Sequence, residues 1–364
     1  MKRSSSFLFI LSVMLTVACN KGPNLILPVT EVDYLNKSEK MLEGTLVHQD
    51  ILGAERIIVF DTLLMITRNN PGSQLLVYST NTLDSLSSLC SKGRARNEFL
   101  RLYSTTEQVY YDENNHVVVP FVDLSQMVKE VDITESLNQR HTVIKKTDEI
   151  MSFVDGITVF VNNDLSNRFI YEHDIYDGEK DIEDITRVPV RFSLQKDGGK
   201  QKPIKVFRRL VEVFNPDYTF MPFDGSLKKS PNNRNVMFYE CQYMDYLFFF
   251  DLDNGNNHVI HQKGSKTFDD FYDDPGDDFL YFLGYAGSSD YLFTLYYHGD
   301  YTLKEKDIMN RCPELMVFDW EGNFIKSFKM DREVFGMGYD EIHKKLFCIN
   351  TSEDLYVYDL SKDL

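Results

Sequence analysis

A short motif that recurs along the chain constrains the fold more than any other feature of the sequence. Residues 315–328 (LMVFDWEGNFIKSF) show it most clearly: an alternating apolar segment that ends in Phe-Asp319, a turn containing Gly322, and a second alternating segment. Alternation of this kind is typical of a strand with one buried face, and a polar residue with Gly between two such segments is typical of a hairpin. The motif therefore predicts two antiparallel strands joined by a tight turn.

Five looser copies of this hairpin lie elsewhere in the chain. The positions that align with Asp319 are Ser79, Asp132, Gln195, Asp251 and Asp359. They are separated by 40 to 68 residues, whereas a four-stranded blade needs roughly 40 to 50 residues and places extra length in its loops. We therefore predict an all-β fold, a six-bladed β-propeller of four-stranded antiparallel blades. Two separate β-sandwiches are the alternative.

The last copy of the repeat ends at the C-terminal Leu364, which leaves room for only three strands in the last blade. An unpaired outer edge invites aggregation, and closing the ring removes that edge. We therefore expect an N-terminal strand within residues 44–51 (GTLVHQDI) to complete the last blade by pairing with residues 355–360.

The N-terminus has the features of a secretory signal. Lys2 and Arg3 precede an apolar segment at residues 7–18, which is shorter than the roughly 20 residues that a membrane-spanning helix needs. The order LTVAC at residues 15–19 resembles the bacterial lipobox. This resemblance implies that Cys19 becomes the lipidated first residue of the mature protein. An ordinary signal peptide followed by an incidental cysteine is the alternative.

This interpretation divides the chain into three parts: a lipoprotein signal peptide at residues 1–18, the lipidated cysteine and a tether at residues 19–41, and the propeller domain at residues 42–364. Each buried methylene of an acyl chain contributes about 0.8 kcal/mol to membrane binding, so more than one chain gives stable anchoring. We expect a protein of the cell envelope, an outer-membrane lipoprotein that faces either the periplasm or the cell surface.

The charge of the chain restricts its partners. The formal net charge is −17, and binding to nucleic acid or to an anionic lipid surface requires a basic face. We therefore expect no nucleic-acid partner. The membrane, through the lipid anchor, and a glycan or another envelope protein are the partners that fit.

Four cysteines remain after removal of the signal and the anchor: Cys90, Cys241, Cys312 and Cys348. An envelope location permits disulfides, but their wide spacing selects none of the three pairings. No CxxC or Cys/His metal spacing occurs, so we expect mostly buried cysteines that act as small hydrophobic residues.

A basic loop at residues 91–100 (SKGRARNEFL) stands out in this acidic chain. It resembles the Gly-Arg-Gly-Pro-x-Glu-aromatic signature of the TolB-like six-bladed propeller lipoproteins of Bacteroides-type bacteria. The matching residues are Gly93, Arg94, Asn97, Glu98 and Phe99. Ala95 and Arg96 stand where the signature has Gly-Pro. The resemblance implies a fold and an envelope address, because that family has no established common activity.

The loop has two interpretations. Arg94, Arg96 and Glu98 could contact an anionic ligand or a partner, since propellers carry binding residues on such loops. Alternatively, the loop links two blades and Glu98 pairs with a neighbouring Arg, which is a common surface arrangement that contributes about 0 to 1 kcal/mol.

Two classes of function fit the sequence. The first is a non-catalytic binding module that recognises a glycan, a peptide or another envelope protein and needs no cofactor. The alternative is a Ca²⁺-dependent hydrolase or lyase with an axial metal site. Asp112 and Asp340, in the matching Tyr-Asp-Glu segments 111–113 and 339–341, are the candidate metal ligands, although Asp also stabilises turns. The sequence contains no motif for a named reaction, so no catalytic residue is assigned.

Overall fold

The computed structural model describes residues 25–34, 37, 40–104, 108–125, 127–149, 156–160, 167–172, 191–207, 225–231, 235–267, 270, 280–298 and 311–364. Cys19, the predicted site of lipidation, lies outside these residues. The described residues form six β-sheets. Near the N-terminus are three short strands, β1 (Val29–Val32), β2 (Met41–Leu42) and β3 (Thr45–His48).

The first three sheets follow one another along the chain as blades 1 to 3. Blade 1 contains β4 (Ala54–Phe60), β5 (Leu63–Arg68), β6 (Ser73–Ser79) and β7 (Ser85–Ser91). Blade 2 contains β8 (Leu102–Ser104), β9 (Tyr110–Tyr111), β10 (Val117–Asp123), β11 (Met127–Asp132), the short helix α1 (Ile133–Gln139) and β12 (Ile144–Glu149). Blade 3 contains β13 (Gly156–Phe160), β14 (Arg168–Glu172), β15 (Arg191–Gln195) and β16 (Lys202–Ile204).

The remaining sheets are blades 4 to 6. Blade 4 contains β17 (Gly225–Lys229), β18 (Val236–Cys241), β19 (Tyr246–Asp251) and β20 (His258–Gln262). Blade 5 contains β21 (Phe282–Gly287), β22 (Leu292–Tyr296), β23 (Glu314–Phe318) and β24 (Phe324–Met330). Blade 6 contains β25 (Gly336–Asp340), β26 (Lys345–Ile349) and β27 (Leu355–Asp359). The six-bladed propeller predicted from the repeat is confirmed.

The repeat identified in the sequence marks the same place in every blade. Ser79 ends β6, Asp251 ends β19, and Asp319 directly follows β23, each being the third strand of its blade. The second strands are more continuously apolar than the motif, and all seven residues of β10 are buried. A strand in the middle of a blade packs against neighbouring blades on both faces, so its sequence does not need to alternate.

The hydrophobic core lies between the blades rather than at one centre. Five clusters of buried side chains join consecutive blades, with aromatic residues prominent in each. Between blades 3 and 4, for example, Phe192 packs against Tyr239 and Phe250 with ring centroids 5.2 and 4.6 Å away. The inner strands of blades 3, 4, 5, 6 and 1 contact one another in that order. The inner strands therefore surround an axial channel.

The ring is closed by the N-terminal strand. β3 pairs antiparallel with β27, with His48 opposite Leu355 and Thr45 opposite Val357, so the predicted closure is confirmed. In the predicted tether, β1 pairs in parallel with β20, and at its end β2 pairs in parallel with β24. The N-terminal segment therefore runs along the outer edges of blades 4, 5 and 6 in turn.

Buried polar contacts hold this N-terminal segment in place. The hydroxyl groups of Tyr34, Tyr296 and Ser265 all donate hydrogen bonds to the carboxylate of Asp245, the latter two at 2.7 and 2.8 Å. Burial raises the pKa of Asp245, whereas these hydrogen bonds lower it. Tyr34 is fully buried, so it fixes the segment between β1 and β2 to blades 4 and 5.

Most of the described cysteines are buried. Cys90, Cys241 and Cys348 are buried and Cys312 is exposed, and these four described cysteines are free, which confirms the expectation of mostly buried thiols. Among the described residues, no helix is long and apolar enough to cross a membrane.

Candidate functional site

The axial channel contains two cavities that follow the inner strands of the blades. The first, the entrance chamber, has a volume of about 210 Å³ and is lined by residues near the beginnings of β4, β17, β21 and β25. The second, the exit chamber, has a volume of about 90 Å³ and is lined by residues near the ends of the same strands and by blade 2. Ile57 of β4 lines both.

Five blades contribute to the exit chamber. Its lining consists of Ile57, Val59, Phe60, Gln108, Val109, Lys228, Lys229, Ser230, Pro231, Ala286, Gly287, Gly338 and Tyr339. A site built from several blades around the axis is the usual position for a ligand in a ring-shaped fold, because one small cavity there receives side chains from many directions.

Glycine permits the close packing of the inner strands around this chamber. A Cβ atom at Gly338 would lie 2.5 Å from Ile57 Cγ2, and one at Gly287 would lie 3.0 Å from Trp320 Cζ2 and 3.4 Å from Lys228 Cε. Gly338 therefore allows β25 to approach β4 closely, and Gly287 leaves room for the ring of Trp320.

Three residues that line the exit chamber have buried polar atoms without hydrogen-bond partners among the described residues. Gln108, Ser230 and Tyr339 are 8%, 1% and 4% exposed. Within the described part of the chain, both side-chain polar atoms of Gln108, the hydroxyl of Ser230 and the hydroxyl of Tyr339 have no partner. Leaving a buried polar group unsatisfied costs about 1 to 3 kcal/mol, so such groups usually bind water or a ligand. Because all three residues line one cavity, that cavity is a candidate binding site.

Two lysines add positive charge to the exit chamber. Burial and the Arg56 guanidinium lower the pKa of Lys228 to about 7, and burial lowers the pKa of Lys229. Lys228 Nζ lies 5.1 Å from the centroid of the Tyr285 ring, while the Tyr285 hydroxyl donates to the carbonyl of Leu227 at 3.3 Å. The channel therefore carries cationic groups inside a chain of net charge −17.

An acidic group lies behind the entrance chamber. Glu240 of β18 is 1% exposed, and its carboxylate accepts hydrogen bonds from Gly284 N at 3.1 Å and from Thr294 Oγ1 at 2.6 Å. Burial raises the pKa of Glu240 to about 7, although both hydrogen bonds oppose the shift. Glu240 therefore links blades 4 and 5 and titrates near neutral pH.

The basic loop at residues 91–100 connects blade 1 to blade 2. Glu98 Oε2 accepts a backbone N–H from within the loop at 2.8 Å, and Phe99 is fully buried in the cluster between the two blades. Arg94 and Arg96 are exposed. In the described chain, no ion pair joins Glu98 to either Arg, so Glu98 stabilises the turn of the loop and the two Arg side chains face solvent.

Asp112 belongs to a cluster at the turn between β9 and β10. Ligand atoms of Asp112, His116 and Asp132 lie within 4.8 Å of one another. Lys145 Nζ is 2.6 Å from Asp112 Oδ2, and His116 Nδ1 is 2.8 Å from Asp132 Oδ2. The bond to Lys145 is the largest cause that lowers the pKa of Asp112 to about 2. An ammonium group therefore occupies one position that a metal ion would need.

Asp340 occupies the equivalent turn of blade 6, between β25 and β26. Its Oδ1 accepts the N–H groups of Ile342 and His343 at 2.9 and 3.0 Å, and Oδ2 lies 2.7 Å from His343 Nδ1. Asp112 accepts two turn N–H groups in the same way, as an Asp at a turn commonly does. No metal-like group among the described residues contains both Asp112 and Asp340.

The residues of the exit chamber were not identified from the sequence. Gln108, Lys228, Ser230 and Tyr339 come from blades 2, 4 and 6 and share no motif. One local signal exists: Lys228 and Lys229 directly precede Ser230-Pro231 in the sequence, and in the structure they end the inner strand β17. A charged pair at that position points to the channel once the blades have been assigned.

Comparisons with known proteins found a similarity of structure but none of sequence family. No family model matches the sequence, and no curated protein matches it. A luciferin-regenerating enzyme is similar in structure, with a TM-score of 0.45 and 10% sequence identity over 87% of this chain and 95% of that one. The fold assignment rests on the six sheets described above.

Proposed function

We propose that this protein is a lipid-anchored protein of the cell envelope whose propeller is a non-catalytic binding module with its ligand in the exit chamber. One observation carries the proposal: Gln108, Ser230 and Tyr339 line one cavity, and their buried polar atoms have no partners among the described residues. Three such groups together are costly to leave unsatisfied. A ligand with complementary polar atoms would remove that cost.

The size of the chamber limits what enters it. Its volume is about 90 Å³, and each water needs at least about 10 to 15 Å³ measured in this way. The chamber therefore accommodates a small molecule or the end group of a longer one, such as a substituent of a glycan or a side chain of a peptide. The larger entrance chamber, about 210 Å³, leaves room along the same axis for the rest of such a ligand.

The envelope location is supported by the lipobox-like segment that ends in Cys19 and by the resemblance of residues 93–99 to TolB-like propeller lipoproteins. The described chain begins at Leu25, which bridges to Phe207 at the end of blade 3. Six residues span at most about 20 Å. A lipid on Cys19 would therefore keep the outer edge of blade 3 close to the bilayer.

The proposal is tested by ligand-observed NMR with small glycans and peptides extracted from cell envelopes. We expect saturation transfer from the protein to a ligand whose spectrum stays constant with time, and loss of that transfer in Ser230→Ala and Tyr339→Phe. Tyr111→Phe is the matched control, because the Tyr111 hydroxyl is on the surface and bonds to Asp61 at 2.9 Å.

Two results would contradict the proposal. Saturation transfer that persists in both chamber variants would place the ligand elsewhere on the propeller. Product resonances that grow with time would show turnover and would favour an enzyme.

A further inference from the structure

The exit chamber has a charge as well as a shape, and the charge selects a class of ligand. Lys228 and Lys229 line it, and Lys228 is 6% exposed. Arg56, which lines the adjoining entrance chamber, acts electrostatically on Lys228. Cations that are close together in a buried channel create a local positive potential, and a low-dielectric wall strengthens it. Glu55 lines the entrance chamber beside Arg56 and is paired with Arg101 at 3.0 Å.

We propose that the exit chamber binds an oxyanion, a carboxylate or phosphate group of a small ligand, with Lys228 as its counter-ion and Gln108, Ser230 and Tyr339 as hydrogen-bond donors. This inference rests on the proposed function and names the ligand class for the same site. Hydrogen bonds from a cation to an anionic oxygen are about twice as strong as those between neutral groups. The arrangement would give the unsatisfied donors partners and place the anion beside a cation.

The donor set suits an oxyanion. The amide of Gln108 offers two N–H groups, and the hydroxyls of Ser230 and Tyr339 offer one each. Burial is the main cause that raises the pKa of Tyr339, so its hydroxyl keeps its proton and donates. A cationic ligand would instead face Lys228 and Lys229 across a small cavity. A neutral ligand would leave the charge of Lys228 without a counter-charge from the ligand.

Two carboxylates lie near Tyr339 and are already engaged. Asp340 and Glu341 both contribute to the raised pKa of Tyr339. Asp340 accepts hydrogen bonds within its own turn, and Glu341 accepts the N–H of Ser289 at 3.0 Å. Neither residue lines the exit chamber, so they leave its centre to the ligand.

The test is a calorimetric titration of the full-length protein with inorganic phosphate and, separately, with acetate. Ionic strength is kept constant with chloride, because added phosphate or acetate also changes charge screening and protein stability non-specifically. We expect saturable binding of at least one anion, weakened by about tenfold or more in Lys228→Met because a charge-assisted contact is lost. The matched control is Lys202→Met, which changes an exposed lysine on an outer strand.

A second pair of variants covers the case in which Lys228→Met alters folding. Ser230→Ala and Tyr339→Phe each remove one donor and keep the charge, and we expect both to weaken binding of the same anion. Tighter binding of phosphate than of acetate assigns a phosphate group, and the reverse assigns a carboxylate.

Glycerol, a neutral polyol, separates failure of this inference from failure of the proposed function. Glycerol binding that is lost in Ser230→Ala but retained in Lys228→Met would keep the exit chamber as a binding site and overturn its assignment to an oxyanion. Absence of binding by both anions, or equal binding by wild type and Lys228→Met, would also overturn the inference.

Discussion

Replacing Lys228 with Met should stabilise the folded protein, and the gain should depend on pH. The pKa of a Lys is ordinarily 10.5, and burial with Arg56 nearby lowers that of Lys228 to about 7. A base whose pKa is lower in the folded state binds fewer protons there between those two values, so stability rises as the pH increases through that window. At 1.36 kcal/mol per pH unit, burial of Lys228 costs about 5 kcal/mol below pH 7, where it is charged, and about 2 kcal/mol at pH 9, where it must lose its proton.

The assay is urea unfolding at pH 6 and at pH 9. The single tryptophan, Trp320, is 2% exposed and its Nε1–H donates to the carbonyl of Ser288 at 2.9 Å, so its fluorescence reports unfolding at the junction of blades 4 and 5. Met fills a similar volume without a charge. We expect Lys228→Met to raise the free energy of unfolding by several kcal/mol at pH 6, and by about 3 kcal/mol less at pH 9.

The control, Lys202→Met, should leave the free energy of unfolding within about 0.5 kcal/mol of wild type at both pH values, as surface substitutions usually do. A loss of stability in Lys228→Met at pH 6, or an equal gain at the two pH values, would refute the reasoning. A loss would mean that the folded chain stabilises the charged form of Lys228, and an equal gain would mean that folding does not shift its pKa.

The other predictions concern the buried carboxyl group of Glu240, the N-terminal segment, calcium binding and the lipid anchor. Because the pKa of Glu240 is raised from its ordinary 4.5 to about 7, the free energy of unfolding of the wild type falls as the pH rises through that range. Glu240→Gln should therefore raise the free energy of unfolding by about 3 kcal/mol more at pH 8 than at pH 4.5 in urea unfolding. An equal effect at both pH values would contradict this. Tyr34→Phe removes a buried bond to Asp245 and should cost about 1.5 to 3 kcal/mol and speed proteolysis of the N-terminal segment; unchanged stability would show that this bond does not hold the segment. Calcium should give no saturable rise in Tm, because Lys145 already neutralises Asp112; a rise that is lost in Asp112→Asn would favour the metal-dependent alternative. Cys19→Ser should move the protein from the membrane to the soluble fraction, and continued membrane association would rule out the proposed anchor.

The positions of the blades could be predicted because each third strand ends in a turn with a recognisable pattern. Asp319 and Asp359, for example, both follow apolar segments and both lie at the end of the third strand. The pairing of β3 with β27 also followed from the sequence, since the last blade lacked one strand. These features are local, or depend on counting strands, so one sequence is enough to find them.

The parallel strands β1 and β2 could not be predicted in the same way. They contain four and two residues, too few for a period to be recognised, and they are held by contacts far along the chain. Tyr34, for example, bonds to Asp245, 211 residues away. The sequence around Tyr34 therefore resembled a tether, whereas the folded propeller supplies its partners.

The residues of the candidate site could not be identified from the sequence for a related reason. Gln108, Lys228 and Tyr339 become neighbours of one cavity only after the inner strands have been arranged around the axis. The residues that stood out in the sequence, Asp112 and Asp340, stood out because they repeat. In the structure they repeat because each stabilises the same kind of turn.

The most direct test of the account is NMR of the side-chain amide of Gln108, assigned by comparison with Gln108→Leu, during a titration with inorganic phosphate. Both polar atoms of this amide are buried and Gln108 lines the exit chamber, so its resonances are expected to change when that cavity is occupied. We expect a saturable shift of the Gln108 amide signals in wild type that is absent in Lys228→Met. Signals that stay unchanged while phosphate binds elsewhere on the protein would contradict the claim that the exit chamber is the binding site.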